Sequence, residues 1–122
     1  MVYEISHDMF VPIKEQYNIK KTKLLTMHGS NFPKAHDVFC FFYEKLSFPP
    51  YFGFNWNALD ECLQDLEWID CDNIVIFMIN SETLLYKEPL EERNILFECL
   101  YGASEYWDSQ IGSIKFDIYT IR

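Results

Sequence analysis

The sequence predicts an α/β fold with a small three-stranded parallel sheet and crossover helices. The unbroken apolar run at residues 74–79 is typical of a central parallel strand that is covered on both faces. Strand and helix patterns follow one another in the order strand, helix, helix, strand, helix, strand, which is the way parallel strands are connected. The chain has 122 residues without a linker or an internal repeat, so it fits one domain.

The first strand is predicted at residues 23–29, where apolar residues precede the stop Gly29-Ser30-Asn31. Residues 1–22 show no clear pattern, and we treat them as an N-terminal extension of uncertain structure before a domain at residues 23–122. Pro33 suits the first turn of a helix, where a missing N–H costs nothing. The buried face of this helix consists of Ala35, Val38, Phe39, Phe42 and Leu46, and the segment Ser47-Phe48-Pro49-Pro50 ends it.

A second helix is predicted after Gly53, with Asn55 as its N-cap and Gly53 at a backbone position that needs a positive φ. Its apolar stripe consists of Ala58, Leu59, Cys62, Leu63 and Leu66. The central strand follows at residues 73–80.

A longer helix is predicted to begin near Pro89, with Glu91 and Glu92 in the first turn, where the helix dipole favours acidic side chains. Gly102 in its interior predicts a kink or a break. The helix turns Leu96, Leu100, Ala103 and Trp107 inward. In the last strand Ile114, Phe116 and Ile118 alternate with Lys115 and Asp117, which predicts one wetter face.

The charge of the chain favours a basic protein as partner. There are 10 basic and 19 acidic residues, which give a net charge of −9 and disfavour direct binding to nucleic acid or to an anionic membrane. Residues 46–86 contain no Lys, Arg or His, and they carry the acids Asp60, Glu61, Asp65, Glu67, Asp70, Asp72 and Glu82. Such a concentrated field accelerates the encounter with a cationic cleft.

The sequence does not predict an enzyme, a metal site or a cofactor site. His7, His28 and His36 all lie in the first third, and the chain lacks the Gly-x-Ser-x-Gly and His-Glu-x-x-His patterns. The four cysteines lack the short paired spacing of metal and redox sites, so we expect reduced thiols. No apolar run reaches the roughly 18 residues of a membrane span, and charged residues interrupt any signal-peptide core, so we expect a cytoplasmic protein.

The most informative segment is residues 48–63, where a proline-stiffened loop leads into the second helix. Tyr51 and Phe52 lie at the loop tip, where a purely structural loop more often carries small polar residues. Opposite the apolar stripe, the helical period places a row formed by Asn57, Glu61, Gln64 and Trp68, flanked by Asp60 and Asp65. Aromatic side chains beside an acidic helix face are typical of a protein interface.

This segment resembles the barstar family, the inhibitors of barnase-type ribonucleases. The family pattern is an aromatic pair, then Gly, Asn, Asp-Ala-Leu and Cys-Leu at fixed spacing. Here Tyr51, Phe52, Gly53, Asn55, Ala58, Leu59, Cys62 and Leu63 match it. The resemblance covers residues 24–121 and implies a barstar-like fold. It also implies that the loop and the helix lie across the basic active-site cleft of a ribonuclease or ribonuclease-type toxin, as in an immunity protein or antitoxin.

The resemblance implies a role for each position of the interface. Tyr51 would be a loop anchor, Glu61 the central carboxylate in place of the family's aspartate, and Gln64 a small polar contact. Asn57 stands where the family commonly has aspartate, and Asp60 stands where barnase's own inhibitor has tryptophan. The predicted partner-binding residues are Tyr51, Asn57, Asp60, Glu61, Gln64 and Asp65. The alternative is an adaptor or interaction module that binds a basic non-nuclease protein through the same face.

Overall fold

Four parallel strands form the sheet, in the order β1-β4-β3-β2. The computed structural model describes residues 1–17 and 21–122, and residues 18–20 of the predicted N-terminal extension lie outside this part. The strands are β1 (Val2–Ile5), β2 (Thr22–His28), β3 (Asn73–Ile79) and β4 (Lys115–Ile121). The helices are α1 (His7–Gln16), α2 (Ala35–Lys45), α3 (Trp56–Asp65) and α4 (Leu90–Asp108). The predicted α/β class and the parallel sheet are confirmed, but the number of strands was wrong, because the sheet has four strands, and not three, in the part of the chain that the structure describes.

The additional strand is β1, which pairs with β4 at the edge of the sheet. Val2 lies opposite Ile118, and Ile5 lies opposite Ile121. The helix α1 then packs on one face of the sheet, although none of its residues is fully buried. The contacts on this face join Phe10, Ile13 and Tyr17 to a small core of Val75, Phe77, Ile79, Tyr119 and Ile121. A four-residue edge strand is too short to show a period of two, which explains why the sequence pattern missed it.

The same face holds Asp117, whose predicted exposure was wrong. The residue is fully buried, because β1 and α1 cover the side of β4 that the alternating pattern assigned to solvent. Its carboxylate accepts a hydrogen bond from the Tyr17 hydroxyl at 2.9 Å and lies 3.2 Å from the ammonium group of Met1. The Lys115 ammonium group is 3.7 Å away. A buried carboxylate needs such partners, since an isolated one would be costly to desolvate.

The other face of the sheet carries the main core beneath α2, α3 and α4. The predicted apolar faces are confirmed by complete or nearly complete burial of Ala35, Val38, Phe39, Phe42, Leu46, Leu59, Cys62, Leu63, Leu66, Leu96, Leu100 and Ala103. Ala58 and Trp107 are partly buried against this core, and the indole N–H of Trp107 donates to the Leu63 carbonyl at 2.7 Å. The helix α4 begins near Pro89, as predicted, with Pro89 as its N-cap, but it continues through Gly102 without a break.

Two 3-10 turns come close to each other at the carboxyl ends of β2 and β3, at Gly29–Asn31 and Ser81–Thr83. A Cβ atom on Gly29 would overlap the Thr83 hydroxyl and the Asn80 carbonyl oxygen, so this position admits only glycine without movement of the backbone. The turns therefore hold the strand ends that lead into α2 and α4 at a fixed separation. None of the helices in residues 1–17 and 21–122 combines the length and the hydropathy of a membrane span.

Candidate partner-binding surface

The loop before α3 divides its two neighbouring aromatic residues between the core and the solvent. Phe52 is buried, and its ring packs against Phe48 at a centroid distance of 4.9 Å and against Phe39 at 6.4 Å. Tyr51 is 76% exposed. The buried ring therefore anchors the loop, and the exposed ring is available for contact with another molecule.

Local backbone geometry holds this loop in place. The positive φ predicted at Gly53 lies instead at the next residue, Phe54, whose φ is 52°. The Phe54 ring compensates by packing against Phe52 at 4.8 Å and Tyr43 at 5.2 Å. Asn55 caps α3 as predicted, since its Oδ1 accepts from the Ala58 N–H at 2.8 Å and its Nδ2 donates to the Gly53 carbonyl. Loop and helix are thus joined as one preorganised unit.

The exposed face of α3 carries the predicted polar row. Asn57, Glu61 and Asp65 are exposed, while Asp60 and Gln64 are half-buried. The Gln64 amide donates to the Asp60 carboxylate at 3.3 Å, which links the centre of the face to its margin.

Trp68 does not belong to this row, and its predicted position was wrong. The helix ends at Asp65, because Leu66 adopts the left-handed conformation with a φ of 51°. The chain then turns back, and the Trp68 indole N–H donates to the Leu46 carbonyl at 3.0 Å. The side chain is half-buried against the main core, so Trp68 supports the base of the loop.

The carboxylates of this face project an uncompensated negative potential. In the part of the chain that the structure describes, Asp60, Glu61 and Asp65 form no ion pair. Burial raises the pKa of the Cys62 thiol, and the charges of Asp65 and Glu61 raise it further. Partial desolvation likewise raises the pKa of the Tyr51 phenol, with Asp65 as the second cause. The negative charge of Asp65 therefore raises the pKa of both the Cys62 thiol in α3 and the exposed Tyr51 phenol.

The family model of barstar, the barnase inhibitor, matches residues 22–118, about four fifths of the chain. The chain belongs to the barstar family. This match includes the loop-helix segment and confirms its resemblance at the level of the family. Members of this family are inhibitors and not enzymes. No curated protein matches the chain.

In this barstar-family chain Tyr51 is exposed on the loop that leads into α3, and we call this residue together with the polar row on α3 the acidic surface. It comprises Tyr51, Asn57, Asp60, Glu61, Gln64 and Asp65. Asp65 lies at the margin next to the loop, because its charge acts on Tyr51. Asp60 lies at the opposite margin, next to α4, where its charge contributes to the raised pKa of the buried Cys99 thiol. Burial is the main reason that the pKa of this thiol rises to about 11.

Two acids near the acidic surface were not among the predicted contacts. The charge of Glu67 contributes to the raised pKa of Tyr51. The charge of Glu98 on α4 contributes, together with that of Asp60, to the raised pKa of Cys99. Glu67 follows the end of α3 at Asp65, so the helical period, which the prediction extended to Trp68, does not give its position. Glu98 is distant in sequence, and only the packing of α3 against α4 brings it near. Among the described residues of this barstar-family member, no group of three His, Cys, Asp or Glu side chains is arranged to hold a metal ion.

Proposed function

We propose that the protein inhibits a ribonuclease by covering its basic active-site cleft with the acidic surface. The observation that carries this proposal is Tyr51, which is 76% exposed and lies beside carboxylates that form no ion pair with any described residue. An exposed aromatic ring can fill a pocket of the cleft, while the carboxylates occupy the places of RNA phosphates. Aromatic anchors with a charged surround are typical of interface hot spots.

Glu61 is the central contact in this proposal. It lies in the middle of the exposed row, between Asn57 and Gln64, and it forms no ion pair with a cation among residues 1–17 and 21–122. A lysine or arginine of the cleft would pair with it after both groups lose water. Truncating one member of such a pair costs on the order of 2–5 kcal/mol, a scale that comes from barnase and barstar themselves.

The other residues of the acidic surface set the register of the complex. Gln64 uses an amide hydrogen on Asp60, so its carbonyl oxygen is left to accept a hydrogen bond from the partner. Asn57 presents a neutral amide where the family commonly has aspartate. It therefore fits a cleft that carries one cation fewer at this point than a cleft that binds the aspartate. Asp65 lies at the rim, where charges change the association rate more than the dissociation rate.

The proposed role is that of an immunity protein or antitoxin in the cytoplasm. A ribonuclease released there would degrade the RNA of the cell, so its inhibitor has to be present in the same compartment. Net charge and the preorganised loop both favour rapid capture, because electrostatic steering accelerates the encounter and a rigid loop needs no ordering on binding.

The test is a pull-down with the tagged protein, followed by a ribonuclease assay on the captured partner. We expect a small basic nuclease whose activity is lost at a stoichiometric amount of inhibitor. The double variant Tyr51→Ala/Glu61→Lys should lose the complex. Glu15→Lys is the matched control, because it makes the same charge change on the exposed side of α1, which packs on the opposite face of the sheet.

Two outcomes would contradict the proposal. One is a partner whose affinity the double variant leaves unchanged, since the binding surface would then lie elsewhere. The other is a basic partner that is lost in the double variant but has no nuclease activity, and this result would favour the adaptor function instead.

A further inference from the structure

The only two arginines of the chain, Arg93 and Arg122, line the same cavity. Its volume is about 360 Å³, at the lower end of the range of small-molecule sites, which begins at about 300 Å³. Arg93 comes from α4, and Arg122 directly follows β4. The convergence is notable in a chain that carries only 10 basic residues against 19 acidic ones.

The cavity lies where open parallel sheets bind ligands. The chain leaves β1 for α1 on one face of the sheet and leaves β3 for α4 on the other face, while β4 lies between them. The crevice outside the carboxyl ends of strands whose outgoing chains diverge is the usual ligand site of such sheets. The wall formed by Glu4, Thr120 and Arg122 lies outside the match to the barstar family model, which covers residues 22–118.

The two guanidinium groups suit a phosphate. The Nε atom of Arg93 donates to the Leu84 carbonyl at 3.1 Å, which orients the side chain and leaves its terminal nitrogens for a ligand. Arg122 is 80% exposed and lies 3.8 Å from Glu4, a weak contact that an incoming anion can replace. Arginine forks bind phosphate through paired hydrogen bonds. The hydroxyl-bearing Ser81 and Thr120 also line the cavity.

The rest of the lining suits a nucleoside. Phe97 and Tyr101 lie on the same side of α4 as Arg93, and their rings stack at a centroid distance of 5.6 Å and an angle of 28°. This aromatic pair offers an apolar wall to a planar base. Glu82 is exposed at the rim, and its carboxylate can accept hydrogen bonds from sugar hydroxyls.

We propose that this cavity binds a nucleoside monophosphate, with the phosphate between Arg93 and Arg122 and the base against Phe97 and Tyr101. The site is separate from the acidic surface, because none of its lining residues belongs to α3 or to the preceding loop. Its existence therefore does not depend on the proposed inhibition of a ribonuclease.

The experiment is a calorimetric titration of the full chain with adenosine 5′-monophosphate, inorganic phosphate, adenosine and succinate, supported by amide chemical-shift mapping. We expect saturable binding of the nucleotide, much weaker binding of the other three compounds, and shifts at Ser81 and Thr120. Arg122→Ala should weaken nucleotide binding by roughly tenfold or more, as expected for loss of charged hydrogen bonds. Lys45→Ala removes the same charge at an exposed position outside the cavity and should leave the affinity unchanged.

Several results would overturn this assignment. They are the absence of saturable nucleotide binding, equal binding of adenosine or of phosphate alone, tighter binding of succinate, and an Arg122→Ala variant with unchanged affinity. Since Arg122 is largely exposed, its replacement should leave the unfolding temperature unchanged, and a thermal melt verifies this.

Discussion

Replacing Gly29 by alanine tests the close approach of the two turns at the carboxyl ends of β2 and β3. The added methyl group would overlap the Thr83 hydroxyl and the Asn80 carbonyl oxygen and would lie 3.1 Å from the Leu84 nitrogen. Two of these three atoms belong to the backbone, so rotation of a side chain cannot relieve the overlap. Overpacking typically costs about 1–3 kcal/mol, and we expect the upper end of this range for Gly29→Ala because backbone segments must separate.

Gly102→Ala is the matched control, since it makes the same chemical change with the opposite expected sign. A Cβ atom at Gly102 would meet nothing within 4 Å, and the residue lies inside α4. Alanine is favoured over glycine there by about 0.8–1 kcal/mol. Urea unfolding of both variants measures the two free energies of unfolding. A Gly29→Ala protein within about 0.5 kcal/mol of the wild type would refute the packing described here, since that is the range of ordinary surface changes.

Four further changes test the acidic surface and the fold. Glu61→Lys should leave the free energy of unfolding within about 0.5 kcal/mol in urea titrations, because the residue is exposed; a larger loss would mean that Glu61 supports the fold. Asp65→Ala should lower the association rate with the captured partner and its salt dependence while leaving the dissociation rate nearly unchanged in surface plasmon resonance. Asn55→Ala should destabilise the protein by about 1 kcal/mol through loss of the α3 cap, and a neutral result would contradict the observed hydrogen bond to Ala58. Between about pH 9 and 11 the free energy of unfolding should fall as the pH rises, because the unfolded Cys99 thiol, with its ordinary pKa of 9.0, releases a proton that the folded thiol keeps until about 11; this thiol alone contributes at most about 1.4 kcal/mol per pH unit. Urea titrations at several pH values should show a smaller slope for Cys99→Ala, and an unchanged slope would exclude this thiol as a cause.

The parts of the fold that the sequence predicts are those in which one element carries its own pattern. The apolar run of β3 indicates burial on both faces, and Val75 to Met78 are fully buried. The stripe of α3 repeats with the helical period, so the opposite row of Asn57 and Glu61 could be placed on the exposed side. Because these patterns are local, no knowledge of the neighbouring elements is needed.

The missed features depend on contacts between distant segments. Asp117 alternates with apolar residues as an exposed strand residue would, and only the covering by β1 and α1 buries it. The end of α3 at Leu66 is not marked by a glycine or a proline, so the helical row was extended too far, to Trp68. The cavity lined by both arginines likewise requires the pairing of β1 with β4, which no local pattern indicates.

The position of β4 in the sheet has a consequence for synthesis of the chain on the ribosome. This strand comes after β1, β2 and β3 along the chain, yet it lies between β1 and β3 and pairs with both. Val2 pairs with Ile118, so β1 lacks its neighbouring strand until Ile118 has been made. Until then the sheet surface that the apolar side of α1 covers is also incomplete. Contacts between such distant segments form slowly and leave strand edges exposed to aggregation in the meantime. Until β4 has been made, the nascent chain therefore exposes the edges of β1 and β3 that β4 covers in the folded domain.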